Sequence, residues 1–275
     1  ASRLQKNYDI CLATYDHGSP LQLYKDYNPN QTWLWTIIRE PTKRAISHFF
    51  HFQVSRFGMA PSDDNFIRLL ESGPHIYAHY FESLSFTPGV LESDDLQREG
   101  NKILSRYNFI AITERFDESV VALSMLLNVP LSDVLYFTAK SNGGYDDGGH
   151  VNQDGNHVCV VIQKSFISEG MQQYLESERW KHRTRWETAL YKAANRSLDL
   201  TIDYLGRKKF NVKLNLFQEA MERARTVCLP ETVFPCNKFD NGVFHPEGTG
   251  SCWVGDSGCN MECLDRVAKE LNIDR

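Results

Sequence analysis

The sequence lacks three features that would each mark a broad class of protein. Its apolar runs fall short of the about 18 residues that a transmembrane helix needs, so no printed segment is predicted to cross a membrane. Basic residues are not in excess, because 30 Lys and Arg stand against 35 Asp and Glu, and a formal charge of −5 argues against a nucleic-acid-binding protein. No Gly-x-x-x-x-Gly-Lys motif occurs. A P-loop kinase of small molecules, which also needs an acidic metal-binding signature, is therefore the least favoured enzyme class.

Cysteine is scarce in most of the chain and concentrated at its end. No Cys-x-x-Cys pair occurs, so a zinc site is disfavoured and disulfides of the secretory pathway are favoured. Five of the seven cysteines crowd a loop-rich tail: Cys228, Cys236, Cys252, Cys259 and Cys263. Since five cysteines cannot pair among themselves, one of them stays free or reaches Cys11 or Cys159.

Strand and helix patterns alternate along the chain. Short runs rich in β-branched and aromatic residues predict strands at Tyr8–Ala13, Trp33–Ile38, Asn108–Thr113 and Val134–Phe137. Apolar residues at helical spacing predict helices at Pro41 to about Phe57, Glu118 to about Leu127, within Ser165–Tyr204, and at Asn215–Arg225. This alternation predicts an α/β fold with a central parallel sheet between layers of helices.

Less regular segments interrupt this pattern. The polar stretch from Met59 to about Glu99 and the glycine-rich stretch 138–149 are predicted to be irregular. We expect residues 1–226 to form one α/β domain. Residues 227–275 are expected to form a Cys-rich extension held by disulfides.

The segment Arg39–Ser47 is the most informative part of the sequence. It follows the predicted strand Trp33–Ile38 directly, and Pro41 suits the first turn of a helix. The free N–H groups of such a turn attract anions, Arg39 adds a planar fork of donors, and Ser47 adds a hydroxyl. The pattern predicts a phosphate-binding site, although the same spacing also fits an ordinary strand-to-helix corner.

A resemblance favours the phosphate site. The strand followed by Arg-Glu-Pro-x-x-Arg-x-x-Ser resembles the 3′-phosphate-binding segment of sulfotransferases that use 3′-phosphoadenosine 5′-phosphosulfate (PAPS), in particular Golgi carbohydrate sulfotransferases of the uronyl 2-O and galactose 3-O type. A second segment, Tyr107–Ser119, is similar to the later strand of this family that ends in Thr-Glu. The resemblance covers roughly residues 8 to 205. It implies a fold like that of P-loop nucleotide kinases and transfer of a sulfuryl group from PAPS to a hydroxyl, with a carbohydrate as the expected acceptor.

The resemblance also implies roles for individual residues. Arg39 and Ser47 take the places of the family's 3′-phosphate ligands. His17, in Asp16-His-Gly-Ser19, takes the place of the catalytic His of the uronyl 2-O branch, where an imidazole serves as general base. Lys140 and Ser141 lie where a family loop closes over the nucleotide. By spacing alone, His17 would be a turn residue and the loop at 140 a flexible surface loop. No metal site is predicted.

One part of the family pattern is missing from the printed sequence. These enzymes begin with a strand, a Lys-containing Gly/Thr loop and a helix that bind the 5′-phosphosulfate. Before Arg39, the only Lys residues are Lys6 and Lys25, and neither stands in a Gly-rich turn. We expect this loop to belong to a preceding segment of a longer chain. The alternative is a non-catalytic, sulfotransferase-like binding or structural subunit that has lost the loop.

Location and partners follow from the same features. The cysteine-rich tail and the sequons at Asn30 and Asn195 predict a glycoprotein of the secretory pathway, and the resemblance implies the Golgi lumen. The expected partner is a carbohydrate or other hydroxyl acceptor, with membrane attachment only through a segment outside this chain and a possible place in a larger assembly. The basic clusters Lys181–Arg185 and Arg207–Lys209 are interpreted as solvated helix faces.

Overall fold

The computed structural model describes residues 33–72, 95–137, 144–145, 150–151, 157–158, 160–232 and 260–274. Helices make up most of this part of the chain. They are α1 (Pro41–His48), continued by a π-helical segment (Phe49–Arg56), α2 (Asp63–Glu71), α3 (Leu96–Arg106), α4 (Phe116–Leu127), α5 (Glu169–Glu176), α6 (Glu178–Arg183), α7 (Arg185–Leu205), α8 (Arg207–Val227) and α9 (Met261–Leu271). The strands are β1 (Trp35–Ile38), β2 (Phe109–Ile112), β3 (Gly144–Tyr145), β4 (His150–Val151), β5 (His157–Val158) and β6 (Val161–Ile162). In this part of the chain, no helix is long and apolar enough to span a bilayer.

β1 and β2 form a parallel pair at the centre of the main core. Their register pairs Trp35 with Phe109 and Ile38 with Ile112, so the carboxyl ends of the two strands lie level. β2 is buried along its whole length, as expected for a strand of a parallel sheet. The prediction of parallel strands is thereby confirmed. A wider central sheet is not confirmed, because the other described strands form two-residue antiparallel pairs.

The described residues form two hydrophobic clusters. The larger one joins β1 and β2 with α3, α4, α7, α8 and α9. The smaller one contains Phe49, Phe50 and Phe66 and joins α1 and the π-helical segment with α2, α5 and α6. α1 lies between the two, because Arg44 pairs with the buried Glu187 of α7 at 3.4 Å. An uncompensated buried carboxylate is costly, so this ion pair fixes α1 against the main core.

The C-terminal helix is part of the main cluster. Leu264 and Val267 of α9 are fully buried there, and a disulfide joins Cys228 to Cys263. One disulfide of the kind expected for this tail is therefore found, and it ties the end of α8 to α9. The boundary predicted at residue 227 stays a prediction, and Cys236, Cys252 and Cys259 lie outside the described residues.

Four local predictions differ from the structure, the first being that β3 (Gly144–Tyr145) stands in the glycine-rich stretch 138–149 predicted to be irregular. Val134–Phe137 is not a strand, because residues 131–134 form a 3-10 turn and residues 135–137 pair with no strand. Two helices, α2 and α3, stand within or beside the polar stretch from Met59 to about Glu99, which was predicted to be irregular. α2 is capped by Ser62 and α3 by Asp95, and each cap accepts a hydrogen bond from a backbone N–H of the first turn. These caps satisfy N–H groups that a helix start leaves free.

Candidate functional site

The candidate site lies at the carboxyl ends of β1 and β2. Arg39 and Glu40 follow β1, and Thr113 and Glu114 follow β2. The hydroxyl of Thr113 donates a hydrogen bond to the carbonyl of Ile38 at 3.0 Å, which ties the two strand ends together. In sheets with parallel strands, ligands bind outside the carboxyl ends, so this edge is the expected place for a nucleotide.

Glu114 organises the polar groups at this edge. Both of its carboxylate oxygens accept from the backbone N–H of Glu40 at 3.2 Å, and Oε2 also accepts from the hydroxyl of Tyr191 at 3.1 Å. Burial, followed by the charge and hydrogen bond of Glu114, raises the pKa of Tyr191 to about 12, so this hydroxyl stays protonated and keeps donating. Glu114 was not among the residues predicted from the sequence, although the Thr-Glu at the strand end was part of the resemblance.

Arg39 is held loosely by the same carboxylate. Its Nε lies 3.9 Å from Oε1 of Glu114, and its side chain is 38% exposed. An ion pair at this distance orients the guanidinium without occupying all its donors, since a guanidinium carries five N–H groups. Arg39 is therefore placed to bind an anion in solvent at the sheet edge.

The start of α1 differs from the expectation. Pro41 occupies the first turn as predicted, but the carboxylate of Glu40 accepts from the N–H groups of Thr42 at 3.1 Å and Lys43 at 2.7 Å. The carboxylate of Glu40 therefore occupies this helix N-terminus, where a phosphate group of a bound nucleotide had been expected. A phosphate at this edge has to be bound mainly by side chains.

Ser47 and Lys43 lie on one face of α1, four residues apart. Ser47 is half-buried, and in the part of the chain that the structure describes, its hydroxyl makes no hydrogen bond. Lys43 is exposed and was not predicted as a site residue. The i, i+4 spacing was the signal that could have identified it. These two side chains and Arg39 are the donors that the described residues offer to an anion beside α1.

His48 ends α1 where the helix changes to π geometry. Its ring lies 5.1 Å from that of Phe52, and the guanidinium of Arg56 lies 5.1 Å above the same ring. Burial, then the charges of Arg44 and His51, lower the pKa of His48. The imidazole is thus kept neutral in the folded protein at pH values where a free histidine begins to take up a proton.

The lowered pKa of His48 predicts a pH dependence of stability. Between its folded pKa and the ordinary value of about 6.5, the unfolded chain binds more protons. The free energy of unfolding is therefore expected to fall as the pH decreases through 6.5. In the His48→Gln variant, the part of this decrease in the free energy of unfolding that comes from His48 should be lost. Urea unfolding at several pH values between about pH 7 and pH 5 measures the decrease for both proteins. At pH 8 the histidine is neutral in both states, so a comparison there gives the packing cost of the substitution. Equal slopes for the two proteins would contradict the assignment.

The other predicted site residues cannot be placed. His17, Lys140 and Ser141 lie outside the described residues, so their roles stay predictions. Among the described residues, no group of three His, Cys, Asp or Glu side chains could hold a metal ion. A surface cleft of about 510 Å³ along α3 includes Arg98 and Lys102 but none of the predicted site residues.

Galactosylceramide sulfotransferases are relatives of this chain. Over 218 residues it is 25% identical to the protein of Bos taurus, 24% to that of Homo sapiens and 26% to that of Mus musculus. Each match covers 73% of this chain but only 45 to 46% of the relative, so the chain spans about half the length of the curated relatives it matches. The predicted resemblance to sulfotransferases is confirmed by this similarity. No family model and no solved structure matches the chain.

Proposed function

We propose that this chain is part of a PAPS-dependent sulfotransferase of the Golgi lumen, which transfers a sulfuryl group to a sugar hydroxyl of a glycolipid or related carbohydrate. The sugar acceptor is suggested by the galactosylceramide named in the relatives. The observation that carries the proposal is the position of Arg39, a half-exposed guanidinium at the carboxyl end of a parallel strand, oriented by Glu114.

The residues at the strand ends fit the 3′-phosphate of PAPS. A phosphate needs several donors and positive charge, and a guanidinium can bind two of its oxygens at once. Arg39 would supply this fork, and Ser47 a hydroxyl from the second turn of α1. Because Glu40 already caps the helix, the charge of the bound phosphate would be balanced by side chains such as Arg39 and Lys43 rather than by the helix N-terminus.

Bound PAPS would supply an activated sulfuryl group, and the chain would supply binding and proton transfer. His17 is proposed as the general base that takes the proton of the acceptor hydroxyl. Lys140 and Ser141 are proposed to contact phosphate oxygens from a loop over the nucleotide. The 5′-phosphosulfate would be bound by a Lys-containing loop in a preceding segment of the longer protein. The complete protein is proposed to have the three-layer fold of P-loop nucleotide kinases, of which β1, β2 and the helices around them would be one part.

The proposal is tested by calorimetric titration of 3′-phosphoadenosine 5′-phosphate, the desulfated donor, into this chain. Arg39→Ala is expected to weaken binding by about 10- to 100-fold, because hydrogen bonds to charged groups contribute about 1.5–3 kcal/mol. Arg39→Lys should restore part of the loss, since it keeps the charge but not the planar fork. Arg225→Ala removes an exposed arginine of α8 that pairs with Glu222, and it serves as the matched control.

Two results would contradict the proposal. Equal affinity of the native chain and the Arg39→Ala variant would exclude Arg39 as a phosphate ligand. If neither this chain nor the longer protein that carries the 5′-phosphosulfate loop bound the nucleotide, the non-catalytic, sulfotransferase-like subunit would be favoured.

A further inference from the structure

The hairpin of α7 and α8 exposes large apolar side chains on its outer surface. Gly206, with φ of +87°, makes the turn between the helices. Leu200 is 60% exposed, Tyr204 85% and Val212 56%, whereas Leu198, Ile202 and other residues of the inner face are fully buried. Among the described residues, these exposed apolar side chains belong to neither hydrophobic cluster, so the hairpin has a second apolar surface.

The same surface is strongly basic. Residues 192–213 contain six basic and two acidic residues, a net charge of +4 in a chain whose total is −5. Both acidic residues are already neutralised, because Asp199 pairs with Arg115 and Asp203 with Arg207. Five basic residues make no ion pair in the part of the chain that the structure describes: Lys192, Arg196, Lys208, Lys209 and Lys213.

Apolar and basic side chains lie together on the exposed side of each helix. Lys192, Arg196, Leu200 and Tyr204 follow one another at intervals of four residues on the exposed side of α7. On α8, Lys208 and Lys209 stand one turn before Val212. A solvated helix face, as interpreted from the sequence, would carry charge without this exposed leucine, tyrosine and valine.

We propose that this hairpin surface, defined by Lys192, Arg196, Leu200, Tyr204, Lys208, Lys209 and Val212, docks onto a lipid bilayer that carries anionic headgroups. Interfacial helices combine exposed apolar and aromatic side chains with Lys and Arg. The apolar and aromatic side chains enter the boundary between headgroups and acyl chains, and the Lys and Arg side chains bind headgroups. A tyrosine, with its polar end and apolar ring, suits the interface itself. The net charge of +4 is attracted to such headgroups, whereas the rest of this chain carries a net charge of −9.

Docking would bring the strand-end site to lipid-borne acceptors. α7 carries both the hairpin surface and, at its first turns, Glu187 and Tyr191, which contact Arg44 and Glu114 near the site. One rigid helix therefore connects the membrane-facing surface to the site. The link to a glycolipid acceptor rests on the proposed function, whereas the docking itself does not.

Vesicle sedimentation with the full chain tests the proposal. Vesicles of phosphatidylcholine and phosphatidylserine should bind the chain more strongly than vesicles of phosphatidylcholine alone, and salt should weaken the binding. Each Lys or Arg near an anionic surface contributes about fivefold in affinity, so Lys208→Glu/Lys209→Glu should weaken binding by at least about 25-fold. Leu200→Ser/Tyr204→Ser should weaken binding to both kinds of vesicle. Lys164→Glu/Lys269→Glu, which reverses two exposed lysines elsewhere, is the matched control and should behave as the native chain.

Several results would overturn the proposal. These are equal vesicle binding by the native chain and both hairpin variants, equal loss in the control, or a concentration-dependent dimer in ultracentrifugation that Leu200→Ser/Tyr204→Ser abolishes. Titration of 3′-phosphoadenosine 5′-phosphate into Lys208→Glu/Lys209→Glu separates this test from that of the proposed function. The nucleotide affinity should be unchanged there, so a failure of docking and a failure of the nucleotide site are distinguishable.

Discussion

Replacement of both Cys228 and Cys263 with alanine is expected to lower the free energy of unfolding by about 4 kcal/mol. The two cysteines are 35 residues apart and fully buried. Their disulfide restricts the unfolded chain, and the loss of conformational entropy for a loop of this size corresponds to that value. Urea unfolding of the double variant and the native chain, both at pH 7, measures the difference.

The design of this experiment separates the disulfide from other effects. The double variant changes this bridge alone, whereas a reductant would also open any other disulfide of the chain. Met261→Ala, at a partly buried residue of the same helix, measures the cost of a packing loss in α9 without a change in covalent linkage. If the double variant unfolded at the same urea concentration as the native chain, the bridge would not restrain the unfolded state as described.

Gly170→Ala is expected to destabilise the protein by about 1–3 kcal/mol, although alanine is the better helix former. An added Cβ at Gly170 would lie 2.1 Å from Oδ2 and 2.7 Å from Cγ of Asp63. Asp63 can turn away only by giving up the hydrogen bond that its other oxygen accepts from Ser168, the residue that caps α5. The substitution would push α2 and α5 apart in the smaller hydrophobic cluster.

Gly100→Ala provides the matched control for this prediction. Gly100 is also helical, in α3, and an added Cβ there would meet no atom of the described residues within 4 Å. Its replacement should be neutral or stabilise the protein by up to about 1 kcal/mol through helix propensity. Thermal unfolding of both variants measures their melting temperatures, and that of Gly170→Ala is expected to be the lower one. Equal melting temperatures for Gly170→Ala and Gly100→Ala would contradict the contact between Gly170 and Asp63.

Local signals in the sequence were sufficient for the elements nearest the site. Trp33–Ile38 and Asn108–Thr113 were predicted as strands, and the structure has β1 and β2 within these bounds. Pro41 marked the start of α1 correctly. These signals depend on residue types a few positions apart, which a sequence displays directly.

Long-range contacts and competing signals account for what was not predicted. Glu114 and Glu40 meet across 74 positions of the chain, so no local pattern reveals that contact. Leu135 and Phe137 are buried in alternation, but alternation indicates burial and does not show that a partner strand exists. The caps Ser62 and Asp95 were visible in the sequence, but the polar residues around them obscured the amphipathic pattern of α2 and α3.

The position of α9 in the main core has a consequence for synthesis on the ribosome. Leu131 is fully buried, its 3-10 turn packs against α9, and the N–H of Ser132 donates to Asp274 at 3.1 Å. The residues that cover this turn are therefore made more than a hundred positions after it. At about 5–20 residues per second, roughly 7–28 s pass between the synthesis of this turn and that of the residues that cover it. The apolar side of this turn is therefore exposed in the nascent chain, and native pairing of Cys228 with Cys263 can occur only after residue 263 has been made.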